Sequence, residues 1–439
     1  VTISHSGGAT ELFGPSPAQV SALAGFDRRQ SFRLKCGATL VVLPRPDSPS
    51  LAIRVYVGSG SQFEGPAQHG LAHLLEHCLF RATQRRSGSQ IYAAVENIGG
   101  QVNAFTHREY LSLAAQVPAS YWRPVLDLLC EVLTMPLFDP AQVEQEKKVV
   151  LEEIARRQDA QSQLWDLWLE TIWGVSGFTR PMLGTAETVN ALQVADLWEF
   201  YRQRFSGPNT VFALVGAVNP PEVRLALEQA LAGYPGHPVA SFLPDRAGLP
   251  VVYPPRQLKI GKNTLLTTLL VGWPTVTQYD RENHYRLKVL NRLLGVGGTS
   301  WLWQSLREQH NLVYSVQSAS VNYATLGYLA TRLTVQPHNL DKVVAALTEQ
   351  ISRLLPQTAT NGLSQAEVDR SRVGYEGSLA VQYDSNARLS EHLGLNALMG
   401  IEDTFQYAVE QLRTVQITDL QALASRFFST PPYLALVGP

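Results

Sequence analysis

The sequence predicts an α+β protein of two homologous domains, each a mostly antiparallel sheet packed with helices. Three observations predict it. Short segments of alternating apolar and polar residues are interleaved with longer segments of helical periodicity. One residue pattern occurs twice, about half a chain apart. A proline-rich stretch lies between the copies, and 439 residues are too many for a single hydrophobic core.

Residues 39–43 and 51–57 are rich in leucine and β-branched side chains and read as strands. Residues 70–81 and 141–158 carry apolar positions at helical spacing. Residues 100–106 and 111–116 read as a hairpin pair around His107-Arg108-Glu109. The second half opens similarly, with a strand over 264–271 and a helix from about 283 to 294. Gly295-Val296-Gly297-Gly298 lacks the Lys-Ser/Thr of a phosphate loop and reads as a turn after that helix.

The repeat is explicit. Asp196-Leu197, Arg204-Phe205 and Ala213-Leu214-Val215-Gly216 are echoed by Asp419-Leu420, Arg426-Phe427 and Ala435-Leu436-Val437-Gly438, 222 or 223 residues later. Each copy reads as a helix, a turn and a short buried strand ending in glycine. Between them, residues 234–255 hold six prolines and little periodicity. The expected division is therefore a domain over 1–235, a linker over 236–249 and a second domain over 250–439.

Composition narrows the partners. Apolar residues make up 45% and charged residues 17%, as in ordinary globular proteins. The 36 basic and 37 acidic residues nearly cancel, so no nucleic acid or anionic membrane is expected as a partner. No uninterrupted apolar run is long enough to span a bilayer. Cys36, Cys78 and Cys130 are odd in number and far apart, so no disulfide framework is expected. Residues 1–26 show no secretory pattern. The cytoplasm is the expected location; removal of a leader before Val1 would instead indicate a periplasm or organelle.

The stretch His73-Leu74-Leu75-Glu76-His77 carries the chemistry. Residues four apart on a helix lie one above the other, so both imidazoles can reach one cation. Two histidines make half of a tetrahedral zinc site. Glu76 shares their face and suits the role of base for a water whose pKa the metal lowers towards about 7. Ten histidines in the chain make such a match by chance an event on the order of 0.01 per chain. The flanking Leu71, Leu74, Leu75, Leu79 and Phe80 predict a buried helix, where polar groups need a purpose. A third ligand is required, and Glu146 and Glu153 share one helical face with Val150 while Glu152 points elsewhere. Spacing alone does not rank Glu146 against Glu153. His69 reads as a satisfied helix-start residue, because a catalytic zinc keeps an open position, and Cys78 as facing the core. His284, His310, His338 and His392 have no ligand spacing, so one zinc per chain is expected.

The run from Gly70 to Phe80 resembles the signature of the pitrilysin family, which includes insulin-degrading enzyme and the mitochondrial processing peptidases. That resemblance covers nearly the whole chain. It implies Glu153 as the third zinc ligand, since the family places a glutamate about 76 residues after the last histidine. It also implies a supporting catalytic role for Glu146, seven residues earlier. The stretch Gly99 to Thr106 resembles the family's edge strand, so Gln101, Val102, Asn103, Ala104, Phe105 and Thr106 are implied to pair with extended peptides. Leu306 to Ser315 resembles a segment whose Arg and Tyr help hold the substrate, which implies that role for Arg307 and Tyr314. Both are donors suited to a peptide carbonyl and its developing oxyanion. Asn311 stands where the family has glycine, and Asn also tolerates positive φ.

The resemblance thus implies a zinc-dependent endopeptidase or oligopeptidase acting on extended or unfolded peptides. The alternative is a non-catalytic or half-active subunit of a heterodimeric peptidase; the retained His73, Glu76, His77, Arg307 and Tyr314 weigh against it. In single-chain relatives two such halves are fused, with zinc in one and the Arg-Tyr pair in the other. A chain of this length is therefore expected to work as a homodimer, with a heterodimer of homologous chains as the variant.

Overall fold

The computed structural model describes residues 28–157, 160–239, 252–356 and 362–439. Most of the linker expected over 236–249 lies outside them. The first half forms strands β1 (Gln30–Arg33), β2 (Thr39–Pro44), β3 (Ser50–Val57), β4 (Gln101–Thr106), β5 (Leu111–Pro118) and β6 (Thr210–Gly216). Its helices are α1 (Leu71–Leu79), α2 (Gly88–Glu96), α3 (Trp122–Thr134), α4 (Pro140–Arg156), α5 (Ala160–Trp173), α6 (Ala186–Ala191), α7 (Val194–Arg204) and α8 (Pro220–Ala230). The second half forms β7 (Gln257–Gly261), β8 (Thr267–Pro274), β9 (Val313–Asn322), β10 (Gly327–Val335) and β11 (Tyr433–Gly438). Its helices are α9 (Arg281–Gly295), α10 (Leu340–Ser352), α11 (Gln365–Asp384), α12 (Asn386–Met399), α13 (Phe405–Thr414) and α14 (Ile417–Phe427).

Two sheets result, in the orders β1-β2-β6-β3-β5-β4 and β7-β11-β8-β10-β9. Apart from β1 they superpose in plan. The repeated Ala-Leu-Val-Gly runs are β6 and β11, each pairing parallel with one neighbour and antiparallel with the other. A strand central in the sheet and covered on both sides is apolar throughout, and every residue of β6 is buried. The helices before them, α7 and α14, start with matching boxes in which Gln193 and Gln416 pair with Asp196 and Asp419. The chain is thus an α+β protein of two like halves.

The halves exchange a helix. Leu164, Trp168 and Ile172 of α5 pack with Leu270, Ala435 and Val437 of the second sheet. Leu389 and Leu393 of α12 pack with Val41, Leu43 and Val215 of the first. Each sheet therefore hides one apolar face under a helix from the other half, and neither buries that face alone.

Boundary shifts have local causes. Helix α1 begins at Leu71 because Gly70 takes φ +94°. The strand expected from 264 begins at Thr267, because Thr264 bonds back to Lys262 O at 2.8 Å and its hydroxyl to Leu266 O at 2.8 Å.

Candidate metal centre

Helix α1 is apolar on almost every side. Leu71, Ala72, Leu74, Leu75, Cys78 and Leu79 are buried, which leaves one face for His73, Glu76 and His77. Its N-terminus is anchored by the Glu64 carboxylate, which accepts from Gly70 N at 3.1 Å and Ala72 N at 2.8 Å. His69 sits 3.5 Å from that carboxylate and bonds Arg180, a satisfied helix-start residue. Burial lifts the Glu64 carboxyl above its ordinary range, against the bonds from His69, Ala72 and Gly70. A side chain on Gly70 would meet the Leu183 carbonyl at 2.5 Å, so the turn into the helix has room only for glycine.

Helix α4 packs across α1. Asp139 caps it by accepting from Gln142 N at 3.0 Å, and Pro140 occupies its first position. Its Val150 faces the core, and Glu146 and Glu153 lie on the same side, while Glu152 points to solvent. His73 Nε2 lies 3.0 Å from Glu153 Oε2, and His77 Nε2 lies 3.7 Å from Glu153 Oε1. The donor atoms of His73, His77 and Glu153 all lie within 4.8 Å of one another, the one such group among the described residues. A tetrahedral ion with bonds of about 2.0–2.2 Å separates its ligand atoms by roughly 3.3–3.6 Å, so two imidazoles and a carboxylate at these distances fit zinc.

Glu146 is placed differently. Its Oε2 is 3.0 Å from His77 Nδ1 and its Oε1 accepts from Arg81 Nε at 2.5 Å. A metal-ligating histidine commonly gives its other nitrogen to a carboxylate, which sets its tautomer. Arg81, Glu146 and His77 thus form a chain in which the cation holds the carboxylate and the carboxylate holds the ring.

Glu76 lies beside His73, with Oε2 at 3.5 Å from Nδ1, and accepts from Thr106 Oγ1 at 2.6 Å. Burial raises its carboxyl, but the bonds with His73 and Thr106 outweigh burial and leave it below the usual range. For His73 burial acts downward, and its bonds with Glu76 and Glu153 carry it upward overall. Thr106 closes β4, the outermost strand of its sheet, along which exposure alternates residue by residue from Gln101 through Val102, Asn103, Ala104 and Phe105. Asn103 turns its side chain onto the Ala104 amide at 2.9 Å, and Phe105 stands out at 47% exposure beneath Arg54.

Arg307 and Tyr314 lie on the second half. Arg307 belongs to a turn of π-helix over Trp303–Gln309, and it donates to Val313 O at 3.3 Å and to Tyr314 O at 2.5 Å. Its guanidinium lies 5.2 Å over the Tyr314 ring, which is 75% exposed. Asn311 takes φ +49°, the one positive φ outside glycine among the described residues. The chain gathers His73, Glu76, His77, Glu146 and Glu153, and among the described residues neither Arg307 nor Tyr314 makes a hydrogen bond or ion pair to them. Arg81 and Glu64 escaped sequence reasoning, and Thr106 was expected only on the substrate strand, not as a partner of Glu76. Arg81 and Thr106 meet their partners only across helix and strand contacts. Glu64 lies too far before the helix to be read as its cap.

Comparison with known proteins identifies the family. The family model for insulinase, peptidase family M16, matches residues 40–186, and that for the peptidase M16 inactive domain matches residues 191–374. An uncharacterized zinc protease of Streptomyces coelicolor is 30% identical over 92% of this chain and 88% of its own length. The zinc protease YmxG of Bacillus subtilis is 29% identical over 92% and 96%. A protease from Helicobacter pylori shares the fold at TM-score 0.85 and 19% identity, covering 94% of this chain and 99% of that one. A structure titled as the peptidase M16 inactive domain from Pseudomonas fluorescens matches at TM-score 0.84 and 19% identity, over 94% and 98%. No helix among the described residues is long and apolar enough to cross a membrane. With relatives named zinc proteases aligned over nine-tenths of its length and a histidine pair facing a carboxylate on the matched domain, the chain belongs to peptidase family M16, the pitrilysin-type family.

Proposed function

We propose that the chain is a zinc-dependent endopeptidase of extended peptides, with one zinc held by His73, His77 and Glu153. The observation that carries this is the convergence of those three side chains beside Glu76 on an otherwise apolar helix. When bound, zinc lowers the pKa of a water towards about 7 and polarises the carbonyl it contacts. Glu76 would serve as the base that takes the proton from the attacking water and returns it to the leaving amine. Glu146 acts through His77, holding the ring's orientation. The substrate adds as a strand to the outer edge of β4 along Gln101 to Thr106, which draws affinity from main-chain bonds and leaves sequence preference loose. Arg307 and Tyr314 supply donors to the peptide carbonyl from a second copy of the chain, since within one chain, among the described residues, neither bonds to the cluster.

The test is metal content by elemental analysis together with hydrolysis of a quenched peptide. The expected result is close to one zinc per chain, cleavage abolished by a chelator and restored by zinc, and folded proteins spared. In Glu76→Gln, zinc should remain while turnover falls at least 10²–10⁴-fold, roughly the worth of general-base catalysis. Near-normal turnover of that variant would sink the assignment of the base.

A further inference from the structure

Glu76 is pinned from one side. The Thr106 hydroxyl donates to Oε2 at 2.6 Å, and among the described residues no hydrogen bond reaches Oε1. Thr106 is also 3.5 Å from the Ala72 carbonyl, so its hydroxyl stands between the start of α1 and the end of β4. The second half keeps the plan without this bond. Helix α9 follows β8 as α1 follows β3, and β9 is the outer strand corresponding to β4. The pairing registers set Ser320 at the place of Thr106, and its hydroxyl donates to Asn322 Oδ1 on its own strand at 3.2 Å.

We propose that Thr106 is a positioning residue for Glu76: it holds one carboxylate oxygen from the strand that receives substrate and leaves the other to take the proton. This rests on the reading of Glu76 as the general base. A carboxylate turns about its final side-chain bond between two nearly equivalent settings, and a donor on one oxygen removes that freedom. Because the donor sits on β4, a peptide seated on that strand and the base that serves it share one rigid support.

The experiment compares Thr106→Val, which keeps the β-branched shape, with Thr106→Ser, which keeps the hydroxyl. A hydrogen bond to a charged group has a net worth corresponding to about 10–100-fold. Thr106→Val should lose that much in kcat, with KM within about threefold, zinc stoichiometry unchanged and the melting point within a few degrees. Thr106→Ser should recover most of the loss. A crystal structure of Thr106→Val should show Glu76 in a new rotamer or in several. Adding Thr106→Val to Glu76→Gln should cost nothing further, because there is no base left to position. If Thr106→Val folds poorly, Thr106→Ala against Thr106→Ser makes the same comparison. A normal kcat in Thr106→Val, a rise in KM alone, failure of serine to rescue, or an additive loss in the double variant each overturns the positioning role. A dead Glu76→Gln beside a normal Thr106→Val would reject the positioning role and keep the base. An active Glu76→Gln would reject the base and the positioning role together.

Discussion

His77 uses its two nitrogens for different ends. Nδ1 is held by Glu146, itself held by Arg81, and Nε2 faces Glu153. Replacing the ring removes one of three ligands, so His77→Ala should lose most of its zinc at neutral pH, read by elemental analysis after dialysis. Full stoichiometric zinc in that variant would mean the ligands are wrong. Glu109 gives a second residue-scale prediction. It lies 2% exposed at the β4–β5 turn and accepts from the Ala324 amide of the second half at 2.7 Å. Burial pushes its pKa up to about 7, opposed by that amide. Because the folded pKa stands above the unfolded value of about 4.3, its contribution is fully present below about pH 4.3 and is lost as pH rises through 7. The loss amounts to ~4 kcal/mol. Glu109→Gln carries no charge to bury, so it should melt progressively higher than the parent as pH goes from 5 to 8. A melting-point difference flat across that range would contradict the buried-carboxyl reading.

At the scale of elements, the exchange of α5 and α12 makes the two halves depend on each other. Helix α12 comes close to the first sheet at Gly394, where an added Cβ would lie 2.5 Å from the Tyr56 ring and 3.1 Å from Ala213 Cβ. Tyr56 is 1% exposed, so it cannot step aside into solvent. Gly394→Val should destabilise by about 2–4 kcal/mol through overpacking. Gly377, on the neighbouring α11, has nothing within 4 Å of such a Cβ. Gly377→Ala should therefore stabilise by about 0.5–1 kcal/mol from helix propensity alone. Chemical denaturation of the pair distinguishes contact from propensity: equal effects would show that α12 does not dock as closely as the backbone implies.

At the scale of the molecule, the two like halves differ in what they offer: the first gathers the candidate metal cluster. The corresponding helix of the second half, α9, carries no histidine pair at the spacing of His73 and His77; its Lys288 donates at 2.8 Å to the carbonyl of Ser320, the residue at the register position of Thr106. The second half offers Arg307 and Tyr314 instead, and the proposed homodimer brings them to the partner's zinc by two-fold symmetry. Complementation measures this. Inactive Glu76→Gln chains mixed with inactive Tyr314→Phe chains should regain activity on subunit exchange, since some mixed dimers hold one intact site. A mixture that stays dead while sedimentation confirms mixed dimers would place the pair within its own chain. An active monomer would end the dimer proposal.

Most of the helix proposed to hold the metal was legible in the sequence, because helical periodicity alone sets which of its residues share a face. His73, Glu76 and His77 fall together by the 3.6-residue repeat whatever surrounds them, and the buried β6 and β11 announce themselves as apolar runs ending in glycine. Glu146 and Glu153 were equally legible as a shared face, yet their division into ring holder and metal-facing carboxylate depends on how far along α4 the crossing with α1 falls. That distance is set by packing, and spacing along one helix carries no information about it. The same holds for Thr106 and Arg81, whose partners are 30 and 65 residues away in the chain, and for α5 and α12, whose apolar faces fit either sheet by pattern. Local order determined the elements and the chemistry each could offer; only the folded chain, by closing distances between elements, decided which carboxylate meets which ring and which half covers which sheet.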